Sequence, residues 1–284
     1  MISVPVRPAP ARPAPTSVAP VLLATSHGTS DPAGQRAVVS LVAAVAAAAP
    51  HLTVVGGYVD VQTPDVPTCL TGIAARPAAG AGSTGAAVPP AGDPAARPVV
   101  IVPLLLSAGY HVRVDLAEAA AEASQPVRVT GALGPDLRLA RVLADRLHEI
   151  DLQPGDRVVL AAAGSTDANA VADCHTVGGQ LAAVLDRAVT VGFISAAEPR
   201  LADAVLSARA GAPGRVVVAT YLLAPGYFAG LAANCGADAV SAPLLVDGAE
   251  PPRELVDVVV DLYTSAARLE QSLAGLPWSF STRS

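Results

Sequence analysis

Short apolar runs alternate with longer helical stretches along residues 21 to 150, and this alternation predicts a parallel α/β sheet. The runs Val21–Ser26 and Val99–Leu106 are too short for typical helices and contain aliphatic residues at nearly every position. Such continuous runs are typical of strands buried on both faces. We predict strands at Val21–Ser26, Thr53–Val61, Val99–Leu106 and Val127–Leu133, and helices at about 33–49, 64–75, 114–123 and 136–150.

The same plan restarts after the turn at Pro154-Gly155-Asp156. The first apolar run of this second copy ends in Gly164-Ser165-Thr166-Asp167, which echoes Gly28-Thr29-Ser30-Asp31. Alternating strands and helices in two copies indicate an internal duplication with right-handed crossovers. The matching segments of the second copy are Arg157–Ala163, Val189–Ser195, Val216–Phe228 and Ala239–Leu245, followed by a helix at about 253–269.

The predicted fold class is therefore α/β, with two tandem, doubly wound, four-stranded parallel-sheet lobes. We place the N-terminal catalytic lobe at 21–150, with a flexible Ala-, Gly- and Pro-rich insertion at 76–98, and a degenerate C-terminal lobe at 155–270. Residues 1–20 form a predicted disordered tail without the apolar core of a signal peptide, and 271–284 form a second tail. Since every long apolar run is interrupted by Gly, Pro or charge, we expect a cytoplasmic protein.

Two histidines follow predicted strands of the first copy, where open α/β sheets bind ligands. His27 follows the first strand, and His111 follows the break at Ser107-Ala108-Gly109 at the carboxyl end of the third. The second copy has Ala163 and Phe228 at the matching positions. We therefore predict one active half and one structural half, in which Phe228 serves packing rather than chemistry.

Asp60, near the end of the second predicted strand, is the candidate carboxylate, and Ser195 takes its place in the second copy. Each candidate has a structural alternative. His27 can bond a backbone carbonyl, Asp60 can cap the helix that follows it, and Arg113 can pair with Asp115 at the surface. Two strand-end histidines in one half favour the functional interpretation for both.

Composition excludes several classes of function. The net charge of −6 argues against a general nucleic-acid binder, which needs a basic face. All 18 basic residues are arginines, which excludes a Schiff-base lysine and a Walker-A lysine. Cys69, Cys174 and Cys235 are widely spaced, form no CxxC motif and are predicted to be reduced, buried thiols.

Three other functions are compatible with parts of this pattern. An esterase could use the His27-Gly28 turn as an oxyanion loop, but the chain has no G-x-S-x-G nucleophile elbow. A phosphohistidine mutase needs Arg before His-Gly, where this chain has Ser26. A non-catalytic ligand-binding protein stays open, because two histidines and a carboxylate can hold a metal passively.

The chain resembles the sirohydrochlorin chelatases, the class II chelatases of the cobalt-chelatase and siroheme ferrochelatase type. Thr25-Ser26-His27-Gly28-Thr29, Val59-Asp60 with Pro64 beyond it, and above all the segment Pro103–Asp115 carry this resemblance, which covers about residues 21 to 270 in two copies. It implies a bilobal fold that inserts Fe²⁺ or Co²⁺ into sirohydrochlorin, for siroheme or cobalamin biosynthesis, in the cleft between the lobes. The metal is then a substrate, no organic cofactor is expected, and the tetrapyrrole is the partner, with no nucleic acid or membrane.

The resemblance also implies roles for individual residues. His27 and His111 match the family's active-site histidines, and Asp60 stands where many members have Glu, which shortens the reach of the carboxylate. These three are the expected metal ligands, because imidazole suits Fe²⁺ and Co²⁺ and a carboxylate offsets metal charge. The eight carboxylates of sirohydrochlorin need donors, for which we expect Arg113, the helix N-terminus after Asp31, and backbone amides at Ser107, Ala108 and Gly109.

Overall fold

The computed structural model describes residues 19–75, 97–107, 109–211 and 213–274, without the side chains of residues 110–113 and 270–274. The predicted N-terminal tail, most of the predicted insertion at 76–98, and the chain beyond 274 lie outside these residues. The eight described strands are β1 Val21–Ser26, β2 Val54–Tyr58, β3 Val99–Pro103, β4 Val127–Val129, β5 Arg157–Ala162, β6 Val189–Phe193, β7 Val216–Tyr221 and β8 Ala239–Val240. The eight described helices are α1 Pro32–Ala48, α2 Val66–Ala74, α3 Tyr110–Glu122, α4 Leu137–His148, α5 Ala168–Leu185, α6 Leu201–Gly211, α7 Tyr227–Ala233 and α8 Arg253–Ala274.

The strands form two parallel four-stranded sheets of identical topology. Their orders are β2-β1-β3-β4 and β6-β5-β7-β8, and every pairing is parallel. The central strands are continuously buried, as their uninterrupted apolar sequences predict. The predicted α/β fold with two duplicated parallel sheets is confirmed.

The duplication extends to the loops that follow the first strand of each sheet. Gly28 and Gly164 have φ angles of +93° and +91°, a conformation in which a side chain is strained. The carbonyl of His27 accepts a hydrogen bond from the amide of Asp60, and the carbonyl of Ala163 accepts one from the amide of Ser195. The pairs His27/Ala163 and Asp60/Ser195 therefore occupy equivalent positions, as the sequence predicts.

The segment around His111 differs from its prediction. β3 ends at Pro103 rather than Leu106, and α3 begins at Tyr110 rather than near Val114. Pro103 has no N–H to continue a ladder, and Gly109 is the extended N-cap of α3. His111 is thus the second residue of the helix that follows β3, so the predicted end of the strand and the predicted start of the helix are wrong, while His111 stays on the carboxyl side of β3.

The last helix of each half packs on the sheet of the other half. α4 packs against α5 and β7, whereas α8 packs against α1 and β3 as well as α4. One buried apolar cluster consequently contains residues of both halves, including Leu139, Leu143, Leu160 and Val259. The two sheets share this core, so they are joined as one folding unit rather than two separable lobes.

Ion pairs at the protein surface also join the two halves. Arg138 of α4 donates to Asp261 of α8 at 2.6 Å, and Arg36 Nε of α1 donates to Asp247 Oδ1 at 2.9 Å. Such exposed pairs contribute little free energy of folding, about 0–1 kcal/mol each. The buried apolar cluster therefore carries most of the coupling between the halves.

In the part of the chain that the structure describes, no helix has both the length and the apolar character to cross a bilayer.

Candidate functional site

The carboxyl ends of the two sheets face each other across a cleft of about 480 Å³. This volume falls in the range of small-molecule sites. The first half contributes the residues after β1 and β3, and the second half those after β5 and β7. The segments that line the cleft are 26–30, 61–62, 104–107, 162–164 and 221–229, with Val38 and Cys174.

His27 lies in this cleft with an exposed side chain at the carboxyl end of β1. The loop that carries it is held from two sides: the Thr29 amide donates to Gln62 Oε1 at 3.0 Å, and Gln35 Nε2 donates to the Thr29 carbonyl at 2.8 Å. The equivalent positions of the second half, where histidine is replaced by Ala163, have neither glutamine. Gln35 and Gln62 were not predicted from the sequence; their presence in one copy alone was the available signal.

The N-terminus of α1 does not offer the free donors that were predicted for substrate carboxylates. Asp31 Oδ1 accepts hydrogen bonds from the amides of Ala33 and Gly34, at 2.8 and 3.3 Å. The Asp31 carbonyl accepts the amide of Gln35. These bonds confirm Asp31 as the helix cap, and the prediction of an open anion site here is wrong because the cap occupies the amides.

Asp60 is exposed, and its Oδ1 accepts a hydrogen bond from the Val61 amide at 2.7 Å. It does not cap the next helix, because Asp65 accepts from Thr68 at the start of α2. The structural alternative for Asp60 is thereby removed. The two residues that follow it, Val61 and Gln62, line the cleft.

His111 follows β3, and β3 pairs directly with β1, the strand that precedes His27. The histidines therefore follow adjacent strands at the same edge. The side chains of His111 and Arg113, and the whole of Ala108, lie outside the described residues. Among the described side chains, no three His, Cys, Asp or Glu residues are grouped to hold a metal. A metal shared by His27, His111 and Asp60 stays a prediction.

The predicted substrate-binding segment borders the cleft through Ser107, whereas Gly109 faces the second half. A Cβ at Gly109 would lie 3.8 Å from Ser165 Oγ, and Ser107 is half-buried in the cleft wall. Binding of carboxylates by Ser107, Gly109 and Arg113 is a prediction that awaits a ligand complex. Asp115 is exposed.

Two buried groups at the base of the cleft were not predicted as site residues. The Tyr221 hydroxyl donates a hydrogen bond to the Leu106 carbonyl at 3.0 Å, which joins the second half to the loop after β3. Burial raises its pKa far above the ordinary value. Burial likewise raises the pKa of the Cys174 thiol to about 11; the negative charge of Asp173 adds to the shift, and a hydrogen bond with Ser107 opposes it. Both groups are therefore neutral near pH 7.

We expect the Cys174 thiol to resist alkylation at pH 8, because its pKa is raised to about 11 and its side chain is buried. Half-exposed Cys235 serves as the internal control and should be alkylated faster. Iodoacetamide labelling of the native protein, followed by peptide mass spectrometry, compares the two. Equal labelling of both thiols at pH 8 would contradict the burial of Cys174.

Replacing Gln62 with alanine should lower the steady-state rate of the reaction in this cleft about fivefold. The substitution leaves the Thr29 amide without its partner, a loss of about 1 kcal/mol in the ordering of the His27 loop. Gln153→Ala, on a turn outside the cleft, is the control and should leave the rate unchanged. Steady-state rates of the variants, with circular dichroism as the check on folding, make the comparison.

Phe228 is not the core residue that its predicted packing role requires. Its side chain is 38% exposed at the cleft, beside Tyr227, which is 76% exposed. The wall around them is apolar, formed by Leu222, Leu223, Ala224 and Pro225. Among the described cleft residues, His27 is the one imidazole, and it belongs to the first half, whereas residues 222–229 of the second half contribute apolar and aromatic side chains.

The paired sheets and the cleft define a two-lobed α/β protein of the chelatase type, and comparison with known proteins agrees. SirB from Bacillus subtilis with Fe³⁺ superposes with a TM-score of 0.67 over 90% of this chain and 98% of its own, at 18% identity. The cobalt complex of the sirohydrochlorin chelatase SirB from Bacillus subtilis subspecies spizizenii gives 0.63 over the same shares, at 14% identity. A multi-domain Deinococcus radiodurans protein with structural similarity to chelatases gives 0.54 at 20% identity, over 90% of this chain and 60% of its own. At these low sequence identities, the superpositions show a common fold.

The family itself is shown by the sequence. The CbiX family model matches residues 21–150 and again residues 157–230, which together exceed half of the chain. The chain therefore belongs to the CbiX family, that of the sirohydrochlorin chelatases. Among curated proteins, none matches this sequence significantly.

Proposed function

We propose that this protein inserts Fe²⁺ or Co²⁺ into sirohydrochlorin, and that the reaction takes place in the cleft between the two sheets. The observation that carries the proposal is His27, exposed in the cleft at the carboxyl end of β1, in a chain of the CbiX family. The related SirB structures contain Fe³⁺ and cobalt.

The reaction needs groups that handle both a metal and protons. One M²⁺ ion enters the ring, and the two pyrrole N–H groups lose their protons, so the charge of the macrocycle core is unchanged. A neutral imidazole can ligate such an ion or accept a proton near pH 7. His27 and His111 therefore deliver the metal and accept the pyrrole protons, and Asp60 offsets the charge of the arriving ion.

The chemical character of the cleft favours the transfer of the metal ion into the macrocycle. Its base contributes neutral groups, since the thiol of Cys174 and the phenol of Tyr221 are protonated at pH 7, so neither competes as an anionic ligand for the metal. Apolar walls also strengthen the attraction between a cation and a carboxylate by excluding water. Arg113 and the amides of Ser107 to Gly109 bind carboxylates at the rim of sirohydrochlorin in this proposal.

A carrier that holds metal or tetrapyrrole without catalysis is the second candidate, because the same ligand set binds a metal passively. The two differ in turnover. In anaerobic absorbance assays with excess sirohydrochlorin and Fe²⁺, Co²⁺ or Ni²⁺ in turn, an enzyme yields many metallated products per protein molecule. A carrier yields one at most, and a rate equal to that without protein would overturn the proposed activity.

The choice of metal decides the pathway that the product enters. Fe²⁺ insertion gives a product for siroheme, and Co²⁺ insertion a product for cobalamin. We propose that the ratio of kcat/KM for the two ions, measured in the same assay, assigns the physiological role. The Cys69, Cys174 and Cys235 thiols are all free, as suits a reducing cytoplasm.

A further inference from the structure

The second half places two adjacent aromatic side chains at the cleft. Tyr227 and Phe228 are 76% and 38% exposed, and their rings meet edge to face with centroids 5.8 Å apart and an interplanar angle of 75°. Aromatic residues make up only 3% of the chain. Adjacent aromatic rings left in water beside a cleft are typical of a binding surface rather than of a core.

The position of this pair relative to His27 is fixed by backbone contacts between the halves. A Cβ at Gly34 would overlap the carbonyl oxygen of Pro225, and a Cβ at Gly226 would lie 3.4 Å from Thr29 Oγ1. The segment just before the aromatic pair is therefore packed against the His27 loop and the start of α1. The pair lines the cleft on the side of the second half.

The two walls differ in chemistry. On the first-half side the cleft presents the polar residues Ser26, Thr29, Ser30 and Gln62 beside His27, together with the apolar residues Val38, Val61 and Leu104 to Leu106. On the second-half side the segment 222–229 presents only apolar and aromatic side chains. A conjugated macrocycle has flat faces that stack on aromatic rings and carboxylates confined to its rim, so a face of the ring suits the second wall.

We propose that Tyr227 and Phe228 form a stacking surface for one face of the tetrapyrrole, which leaves the opposite face toward His27. This inference rests on the proposed function and adds a sidedness to it: the metal enters from the first half. The second half then binds the face of the substrate. Phe228 provides a stacking group at the position where the first half has the predicted ligand His111.

Binding of metal-free sirohydrochlorin, followed by its fluorescence, tests this proposal separately from catalysis. The doubly substituted variant Tyr227→Ala/Phe228→Ala should raise Kd about tenfold, since each aromatic contact contributes about 0.5–1.5 kcal/mol. Leu231→Ala is the matched control, because Leu231 is 42% exposed on the same helix and does not line the cleft. It should bind within about twofold of the wild type. The variant Tyr227→Phe/Phe228→Tyr, which keeps an aromatic ring at both positions, should bind sirohydrochlorin as tightly as the wild type.

Kinetics provide the second measurement. In the aromatic variants we expect a raised KM for sirohydrochlorin and an unchanged KM for the metal. If they bind sirohydrochlorin as tightly as the wild type, the stacking surface is refuted while the proposed chelatase activity stands. If the wild-type protein itself fails to bind sirohydrochlorin, the proposed function and the inference both fall.

Discussion

His27→Ala is expected to lower the rate of metal insertion roughly 100-fold or more, while the protein keeps its fold. A positioned acid–base group contributes about 10²–10⁴-fold to a rate. His27 is exposed in the cleft, so its removal costs little packing energy. The rate is measured at saturating sirohydrochlorin, and circular dichroism with thermal unfolding checks the fold.

Two further variants make this result specific. His51→Ala removes an exposed histidine outside the cleft and should leave the rate unchanged. His111→Ala should match His27→Ala, because both histidines are proposed to deliver the metal and to accept the pyrrole protons. A wild-type rate in His27→Ala would show that metal insertion does not need this side chain and would contradict its proposed role.

Leu143→Ala should destabilise the whole protein by about 2–5 kcal/mol, the usual cost of a cavity at a fully buried leucine. Leu143 belongs to α4 of the first half, yet it lies in the apolar cluster shared with the second sheet. Urea unfolding monitored by circular dichroism should show one transition that moves to lower urea concentration without splitting.

Leu137→Ala supplies the comparison on the same helix. Leu137 is 41% exposed, and its substitution should cost well under the effect of Leu143→Ala. If Leu143→Ala unfolds one half while the other persists, the two halves are independent and the shared core is not what couples them.

The sequence predicts much of this fold because the signals for it are local. The strand Val21–Ser26 is predicted residue for residue, since the run begins after Pro20 and ends before His27-Gly28. The parallel direction of the strands follows from the alternation of strands and helices. The cap at Asp31 is equally local, a carboxylate before Pro32 at the first turn.

Features that depend on distant contacts escape such patterns. The amphipathic sequence of α4 shows which of its faces is apolar but not that this face packs on β7, far along the chain. The exposed position of Phe228 is another case, because an aromatic residue in an apolar segment is more often buried. The start of α3 was placed too late because Gly109 and β-branched residues resemble a loop or strand, whereas Gly109 is the cap of the helix.

The candidate site was predicted through types of residue rather than through contacts. His27 and the cleft beside it follow from the rule that ligands bind at the carboxyl ends of parallel strands. The glutamines that hold the His27 loop belong to α1 and to the loop after β2, and a glutamine alone signals nothing. Such supporting residues emerge only when the elements are packed together.

A crystal structure of the protein with Co²⁺, with the ion located by its anomalous scattering, tests the central claim most directly. The account predicts one ion in the cleft, with a ring nitrogen of His27 and one of His111 each at about 2.0–2.2 Å and Asp60 on the same side. A cobalt ion bound away from the cleft, or histidines that point to opposite faces of the first sheet, would contradict it.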